Sequence, residues 1–236
     1  MANASTLSAP VLYTFSDLIS DASLVTKITH LINDAFSRSK KPEPRKWGEH
    51  PRDRFPSNDV YLETIGSEGI VAVIFDESTS DRKVVAVSGA IPWQGGWKQK
   101  GAGVEEGWEI KAVAVDGEAQ YLRRGLAVQL CAFLEQQLVL KSKALGISTN
   151  GRQFNDNDQV SLWIIAAECI NGVYWRKRGY ELVRKELVDA PTWGAYTSFE
   201  IVVLRKDVPF ESLKNKAAMI PVTKGDTLVV QEVEVK

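Results

Sequence analysis

The feature that constrains this chain most is a strand that passes through a short turn into a long apolar helix. Residues 108–116 (WEIKAVAVD) alternate as a strand does, and residues from about 123 to 142 follow with apolar side chains at helical spacing. The apolar stripe of this helix comprises Leu126, Leu130, Phe133, Leu134 and Leu138. A helix with such a stripe buries it against another layer, so we predict a sheet with helices packed on it.

The flanking sequence supplies further strands and helices in an order typical of an α/β or α+β domain. Two β-branched runs at 69–77 and 82–93, separated by a polar turn, predict an antiparallel hairpin. Strands are also predicted at 11–15, 161–167, 180–183 and 198–206, and helices at 21–38, 58–66 and 171–179. We therefore expect a flexible tail over 1–10, one domain over 11–206, and a C-terminal extension over 207–236 with a strand-like TLVVQEVEV segment.

Composition and charge exclude several classes of function. The formal net charge of −1 leaves no broad basic surface for nucleic acid or an anionic membrane, so we expect neither partner. No apolar run reaches the roughly 18 residues of a membrane span, and the N-terminus lacks a signal-peptide pattern. Two cysteines and two histidines are too few for the usual metal sites and favour free thiols. We predict no metal and a cytoplasmic location, with the nucleus left open.

Two arginines stand where the predicted helix begins, although the helix dipole disfavours cations at that end. Arg123 and Arg124 precede Gly125 in the stretch YLRRGLAVQL. One interpretation is a pair of solvated surface arginines. The other is an anion site, in which free N–H groups and two guanidinium groups hold a phosphate while the glycine permits close approach. The turn contains neither a GxxxxGK[ST] loop nor a GxGxxG fingerprint.

The segment VAVDGEAQYLRRGLAVQL resembles the acyl-CoA-binding motif of the GNAT superfamily of N-acetyltransferases. That motif is a V-x-V strand followed by [QR]-x-x-G-x-[GA] at the start of a helix. Gly125 and Ala127 match its last two positions, whereas Leu122 stands at the first. A second segment, AAECINGVYWRKRGYELV, is similar to the family's following block through Asn171, Lys177, Gly179 and Tyr180. Together the two blocks cover residues 108–183.

The resemblance implies a mixed, mostly antiparallel sheet flanked by helices and splayed between the strand at 108–116 and the strand at 161–167. It also implies direct transfer of an acetyl group from acetyl-CoA to an amine, without a covalent enzyme intermediate. Backbone groups of Val113 and Val115 are then expected to pair with the pantetheine arm. The residues expected to bind the rest of acetyl-CoA are Leu122, Arg123, Arg124, Gly125, Leu126, Ala127 and Asn171.

Two residues are candidates for moving protons. Glu109 occupies a position where some GNAT members carry a general base, and strand alternation places it on the face of Val113 and Val115. The alternatives are a solvated glutamate and a water chain as the base. The tyrosine that serves as acid in the family aligns with Trp175, and Tyr174 lies one residue earlier, roughly 100° around a helix. We nominate Tyr174 as the acid that protonates the departing thiolate. The alternatives are an enzyme that lacks this acid, in which Trp175 only packs the site, and a core-packing role for Tyr174.

The acceptor is left open by the sequence, since small amines, amino sugars and peptide or protein amines all fit. Loops at 42–58, 93–108 and 189–199 are expected to frame its cleft. Their tryptophans, candidate apolar walls, are Trp93, Trp97, Trp108 and Trp193. Two further functions stay open: an acyl-CoA-binding sensor or interaction module without catalysis, and a transferase of longer acyl groups. We expect a monomer or a homodimer.

Overall fold

Seven strands form one sheet in the computed structural model, which describes residues 6–49, 52–78, 80–144 and 159–210. The strands are β1 (Val11–Thr14), β2 (Ile70–Asp76), β3 (Lys83–Pro92), β4 (Trp108–Val115), β5 (Gln159–Ala167), β6 (Glu181–Val188) and β7 (Phe199–Pro209). Their order is β1-β2-β3-β4-β5-β7-β6, and neighbours are antiparallel except β4 and β5, which run parallel. The predicted mixed, mostly antiparallel sheet is confirmed.

Six α-helices accompany the sheet in the described ranges. They are α1 (Phe15–Ser20), α2 (Ala22–Lys40), α3 (Pro44–Trp47), α4 (Asn58–Ile65), α5 (Leu126–Ala144) and α6 (Val173–Arg176), with a π-helical turn at Glu168–Gly172 before α6. A reciprocal capping box between Thr14 and Asp17 starts α1, and the Asp21 carboxylate accepts a hydrogen bond from the Leu24 N–H at 2.9 Å to start α2. No helix in these ranges has the length and apolarity needed to cross a membrane.

Helices cover both faces of the sheet. On one face α5 buries the whole predicted stripe against the central strands. On the other face α1, α2 and α4 bury side chains such as Leu18, Ile28 and Tyr61. Cys131 is buried within the α5 stripe, where burial raises the pKa of its thiol to about 12, and Cys169 is exposed. Both are free thiols, as the sequence predicts.

Three of the differences from the predicted element boundaries concern the start of α5 and the two ends of the domain. Helix α5 begins at Leu126, because the residues just before it form turns. Residues 7 and 8 of the predicted tail pair with β2: Leu7 bridges to Asp76, and the Ser8 N–H donates to the Phe75 carbonyl at 2.9 Å. Strand β7 continues to Pro209, beyond the predicted domain end. The strand-like segment of the predicted extension lies outside the described residues.

Strands β4 and β5 pair over two residues only and then separate. Trp108 lies opposite Leu162 and Glu109 opposite Trp163, while β4 continues to Val115 and β5 to Ala167. The predicted splay between these strands is therefore confirmed. It leaves an edge of each strand facing a gap in the middle of the sheet.

Candidate active site

A cavity of about 450 Å³ opens where β4 and β5 separate. Its walls are residues 109–113 of β4 and 164–167 of β5, joined by Asn171 and Trp175 from the segment that follows β5. The C-terminal end of α2 and the loops around residues 52–54, 96–97 and 193–194 close its other side. The volume lies in the range of small-molecule sites. The splay of the sheet therefore creates a pocket that joins both predicted motif blocks.

A β-bulge at Ala112 changes which face of the sheet each β4 side chain takes. Ala112 has a φ of +55°, and the register between β3 and β4 shifts there, so that two β4 residues lie opposite Ser88. Before the bulge, Ile110 faces the α5 layer. After it, Val113 and Val115 also pack toward the α5 layer, whereas Ala112 and Ala114 join the α2 layer.

The bulge corrects the predicted position of Glu109. Uninterrupted alternation puts Glu109 on the face of Val113 and Val115, but an extra residue between them reverses the phase. Glu109 therefore shares its face with Lys111, whose Nζ donates a hydrogen bond to Glu109 Oε1 at 2.7 Å. The Glu109 side chain is buried, with 7% of its surface exposed, and lines the cavity.

The backbone of β4 beyond the bulge presents hydrogen-bonding groups to the gap. The Gly107 carbonyl accepts from Trp93 N–H and the Asp116 N–H donates to the Val85 carbonyl, so both ends of β4 are bonded to β3. Alternation along an antiparallel strand then leaves the backbone groups of Val113 and Val115 pointing away from β3. Arg38 of α2 donates to the Val115 carbonyl at 2.6 Å. This edge can receive an extended ligand as another strand would.

A buried hydrogen bond between Tyr121 and Asp76 stabilises the turn between β4 and α5. Tyr121 Oη donates to Asp76 Oδ2 at 2.7 Å, and the Ser78 hydroxyl and N–H also donate to Asp76. Burial and this bond raise the pKa of Tyr121 to about 12, while the bonds from Ser78 and Tyr121 lower the pKa of Asp76. Lys83 adds ion pairs to Asp116 and Glu118 in the same turn. Sequence reasoning missed these positioning residues, because nothing local marks their pairing.

The predicted phosphate-binding turn is exposed and ends at Gly125, whose backbone has a positive φ that favours glycine. Leu122, Arg123, Arg124 and Gly125 are all exposed. Gly125 has a φ of +77°, and its carbonyl accepts the first helical hydrogen bond, from the Gln129 N–H at 2.9 Å. A Cβ added to Gly125 meets no atom within 4 Å. The N–H groups of the first helical residues have no partner four residues earlier in the helix, which is the arrangement that binds anions.

The structure places Trp175, and not Tyr174, among the cavity-lining residues. Trp175 is buried and lines the cavity together with Asn171. Tyr174 is half-buried on the α5 side, with its ring 5.1 Å from the Trp175 ring in an edge-on arrangement and Arg178 over its other face. The role of Tyr174 as an acid therefore stays a prediction.

The cavity is lined by residues from each of the three loops that were expected to frame the acceptor cleft. Trp97 and Trp193 are the loop tryptophans in its wall. Trp93 instead stacks on Trp163 at 4.5 Å, and Trp108 packs against the α5 layer. The wall also contains four cations that sequence reasoning did not single out, namely Lys40, Arg52, Arg54 and Lys111. The described residues contain no cluster of His, Cys, Asp or Glu side chains arranged to hold a metal ion.

Solved structures of acetyltransferases share this fold. NAA60 of Arabidopsis thaliana, in complex with a bisubstrate analogue, is 11% identical, covers 84% of this chain and 99% of its own, and has a TM-score of 0.51. The mosquito arylalkylamine N-acetyltransferase like 5b is 14% identical, covers 86% of this chain and 100% of its own, and has a TM-score of 0.50. No protein-family model and no curated protein sequence matches the chain. At these identities the likeness concerns the fold alone.

Proposed function

We propose that this chain, which has the fold of the GNAT acetyltransferases, transfers an acetyl group from acetyl-CoA to an amine. The observation that carries the proposal is the cavity between the splayed strands, with the β4 edge that β5 leaves unpaired on one side and a buried carboxylate in its wall. The sequence motifs resembling the acyl-CoA-binding blocks lie on the elements that border this gap.

In this proposal acetyl-CoA lies along the gap. Its phosphates are held by the turn and helix start, from Leu122 to Ala127, where unpaired N–H groups and the positive end of the dipole meet Arg123 and Arg124. The pantetheine arm pairs with the outward backbone groups of Val113 and Val115. Asn171, in the cavity wall, contacts the acyl end of the same arm. The thioester then faces the cavity.

The chemistry consists of one acyl transfer. The neutral amine attacks the thioester carbonyl carbon, a carbon–nitrogen bond forms, and the carbon–sulfur bond breaks with its electron pair going to sulfur. A backbone N–H on the open β4 edge stabilises the oxyanion. Glu109, directly or through water, accepts the proton that the amine loses. Tyr174 gives a proton to the departing thiolate, so that free CoA leaves as a thiol.

The proposal extends to the protein's setting. The free thiols Cys131 and Cys169 are consistent with a reducing compartment, and we infer a cytoplasmic monomer or homodimer. Neither nucleic acid nor a membrane is required for acetyl transfer to a small amine.

The decisive experiment detects free thiol while the protein is incubated with acetyl-CoA and a panel of amines. We expect amine-dependent thiol release together with the mass of the acetylated amine. If the protein binds CoA but none of the amines causes thiol release, that result contradicts catalysis and favours the sensor or interaction module. Longer acyl-CoA donors in parallel identify the acyl group. CoA binding by itself cannot separate these functions, because each of them binds CoA.

A further inference from the structure

Two cations face the acceptor side of the cavity without a carboxylate partner among the described residues. Lys40, at the end of α2, is half-buried, and its Nζ donates to the Trp193 carbonyl at 3.1 Å while lying 4.8 Å from the Trp47 ring centroid. Arg54 has its guanidinium carbon 5.8 Å from the Phe36 ring centroid. Neither side chain forms an ion pair with a described carboxylate, and both line the cavity.

Lys40 and Arg54 are here called the cationic pair, and the charge of Arg54 disfavours the charged form of Lys40. Burial lowers the pKa of Lys40, and the neighbouring Arg54 lowers it further. Arg54 is exposed by its surface area, and partial desolvation by the surrounding residues lowers the pKa of its guanidinium, an effect that Glu109 opposes. Lys40, Arg54 and Glu109 all line the same cavity. Two partly desolvated like charges that share a cavity are stabilised by an anion placed between them.

The other charges of the cavity wall do not remove this excess. The described lining includes four cations (Lys40, Arg52, Arg54 and Lys111) and two carboxylates (Asp53 and Glu109). Lys111 and Glu109 pair at 2.7 Å, which leaves three cations against one carboxylate. A positive cavity repels an ammonium group and favours the free amine that attacks a thioester. It also attracts an acceptor with an acidic group elsewhere in the molecule.

We propose that the acceptor is an amino acid, whose carboxylate binds between Lys40 and Arg54 while its amine faces Glu109. This inference rests on the proposed acetyl transfer. The anionic part of acetyl-CoA is not the ligand in question, because the phosphate-binding turn lies outside the cavity wall. Phe36, Trp97 and Trp193 give the wall an aromatic character that suits an apolar amino-acid side chain.

The first test compares matched acceptors. Phenylalanine and phenylalanine amide share their side chain and differ in the carboxylate, which also raises the pKa of the amine, so kcat/KM for each is measured through thiol release and expressed per free amine. We expect the acid to be preferred about 10- to 100-fold, the value of one or two hydrogen bonds to a charged group. A peptide with an N-terminal aspartate and an amidated C-terminus tests whether a side-chain carboxylate can replace the α-carboxylate of the acceptor. A higher kcat/KM for that peptide than for phenylalanine would overturn the free amino acid as acceptor.

Variants then locate the preference. Lys40→Met and Arg54→Met keep an unbranched apolar stem but remove the charge, so each should reduce the ratio of kcat/KM for the acid to kcat/KM for the amide about tenfold. Lys41→Met is the matched control, because Lys41 is exposed and does not line the cavity. Equal use of acid and amide by the parent protein, or a preference that survives both charge-removing variants, would overturn the inference while acetyl transfer stands.

A binding measurement keeps the inference testable if no acceptor is acetylated. Tryptophan fluorescence reports ligands in this cavity, since Trp97 and Trp193 stand in its wall. N-acetylphenylalanine should bind more tightly than N-acetylphenylalanine amide, and Lys40→Met should abolish the difference. That result without turnover would support the carboxylate site and refute catalysis. Equal affinities would overturn the carboxylate site whatever the activity.

Discussion

Replacement of Gly125 by alanine tests the phosphate-binding turn with a single added carbon atom. Gly125 has a φ of +77°, a conformation that costs an L-residue about 1–2 kcal/mol. The new Cβ meets no protein atom within 4 Å, so no clash adds to that cost. For a domain of this size, the melting temperature should fall by about 2–4 °C for each kcal/mol. Folding is therefore retained.

The effect on the ligand should be larger than the effect on folding. We expect the Cβ to enter open space that the bound phosphate needs, and a phosphate held away from the N–H groups at the start of α5 loses at least one charge-assisted hydrogen bond. Such a bond contributes about 1.5–3 kcal/mol, which corresponds to about a 10- to 100-fold rise in the Kd for CoA. The Kd is measured by calorimetric titration, beside thermal melts of the same samples.

Gly103→Ala is the matched control for this experiment. Gly103 is exposed, has a φ of +73°, and would also place its new Cβ with no atom within 4 Å, but it lies in the loop before β4. It should show the same loss of melting temperature with an unchanged Kd for CoA. If Gly125→Ala and Gly103→Ala have the same Kd for CoA, the turn does not hold the phosphates.

Four further variants separate the parts of the site. Arg123→Ala/Arg124→Ala should weaken CoA far more than pantetheine, which lacks the nucleotide, in titrations of both ligands; similar losses would show that these arginines do not contact phosphate. Glu109→Gln should lower turnover at neutral pH and flatten the acidic limb of the rate–pH profile without changing acetyl-CoA affinity, whereas a parent-like profile would assign the base to water. Tyr174→Phe should slow single-turnover chemistry on the order of 10²-fold with an unchanged melt, and parent-like rates would remove it as the acid. Tyr121→Phe should lower the free energy of unfolding by about 1.5–3 kcal/mol, because a buried bond to a carboxylate is lost. The pKa of Tyr121 is raised to about 12 in the folded state, from about 10 when unfolded. The parent protein should therefore have its full excess in free energy of unfolding below about pH 10 and lose it between about pH 10 and 12. Denaturant melts that show a constant difference across this range would contradict the assignment.

The strong periodic signals of the sequence predicted most of the fold. The β2–β3 hairpin, the α5 stripe and the splay of β4 from β5 all lie where the patterns and the motif blocks place them. Helix α1 was not predicted, because its six residues are too few for a periodic signal and depend on the cap at Thr14. The end of β7 and the start of α5 differ because hydrogen bonding, and not composition, sets such boundaries.

The site was less predictable than the fold for two physical reasons. The sequence AVAV alternates without interruption, so nothing in it indicates that Ala112 is an extra residue in the strand. The bulge depends on the partner strand, and it moved Glu109 to the other face. The cationic pair comes from α2 and from a loop that follows α3, and only tertiary packing brings Lys40 and Arg54 to one cavity.

The bulge at Ala112 makes β4 two half-strands of opposite phase within one rigid element. The half with Glu109 and Lys111 contributes side chains to the acceptor side, and the half with Val113 and Val115 contributes backbone to the gap. In the proposed function, different kinds of atoms thus contact the acceptor and the donor. The side chain at 111 can change during evolution to suit another acceptor while Glu109 keeps its proposed role as the base, and the main chain beyond the bulge tolerates changes of residue type. Deletion of Ala112, the extra residue, would by contrast leave the side chains of both halves on their present faces and remove the local bend and added twist that a bulge gives the strand.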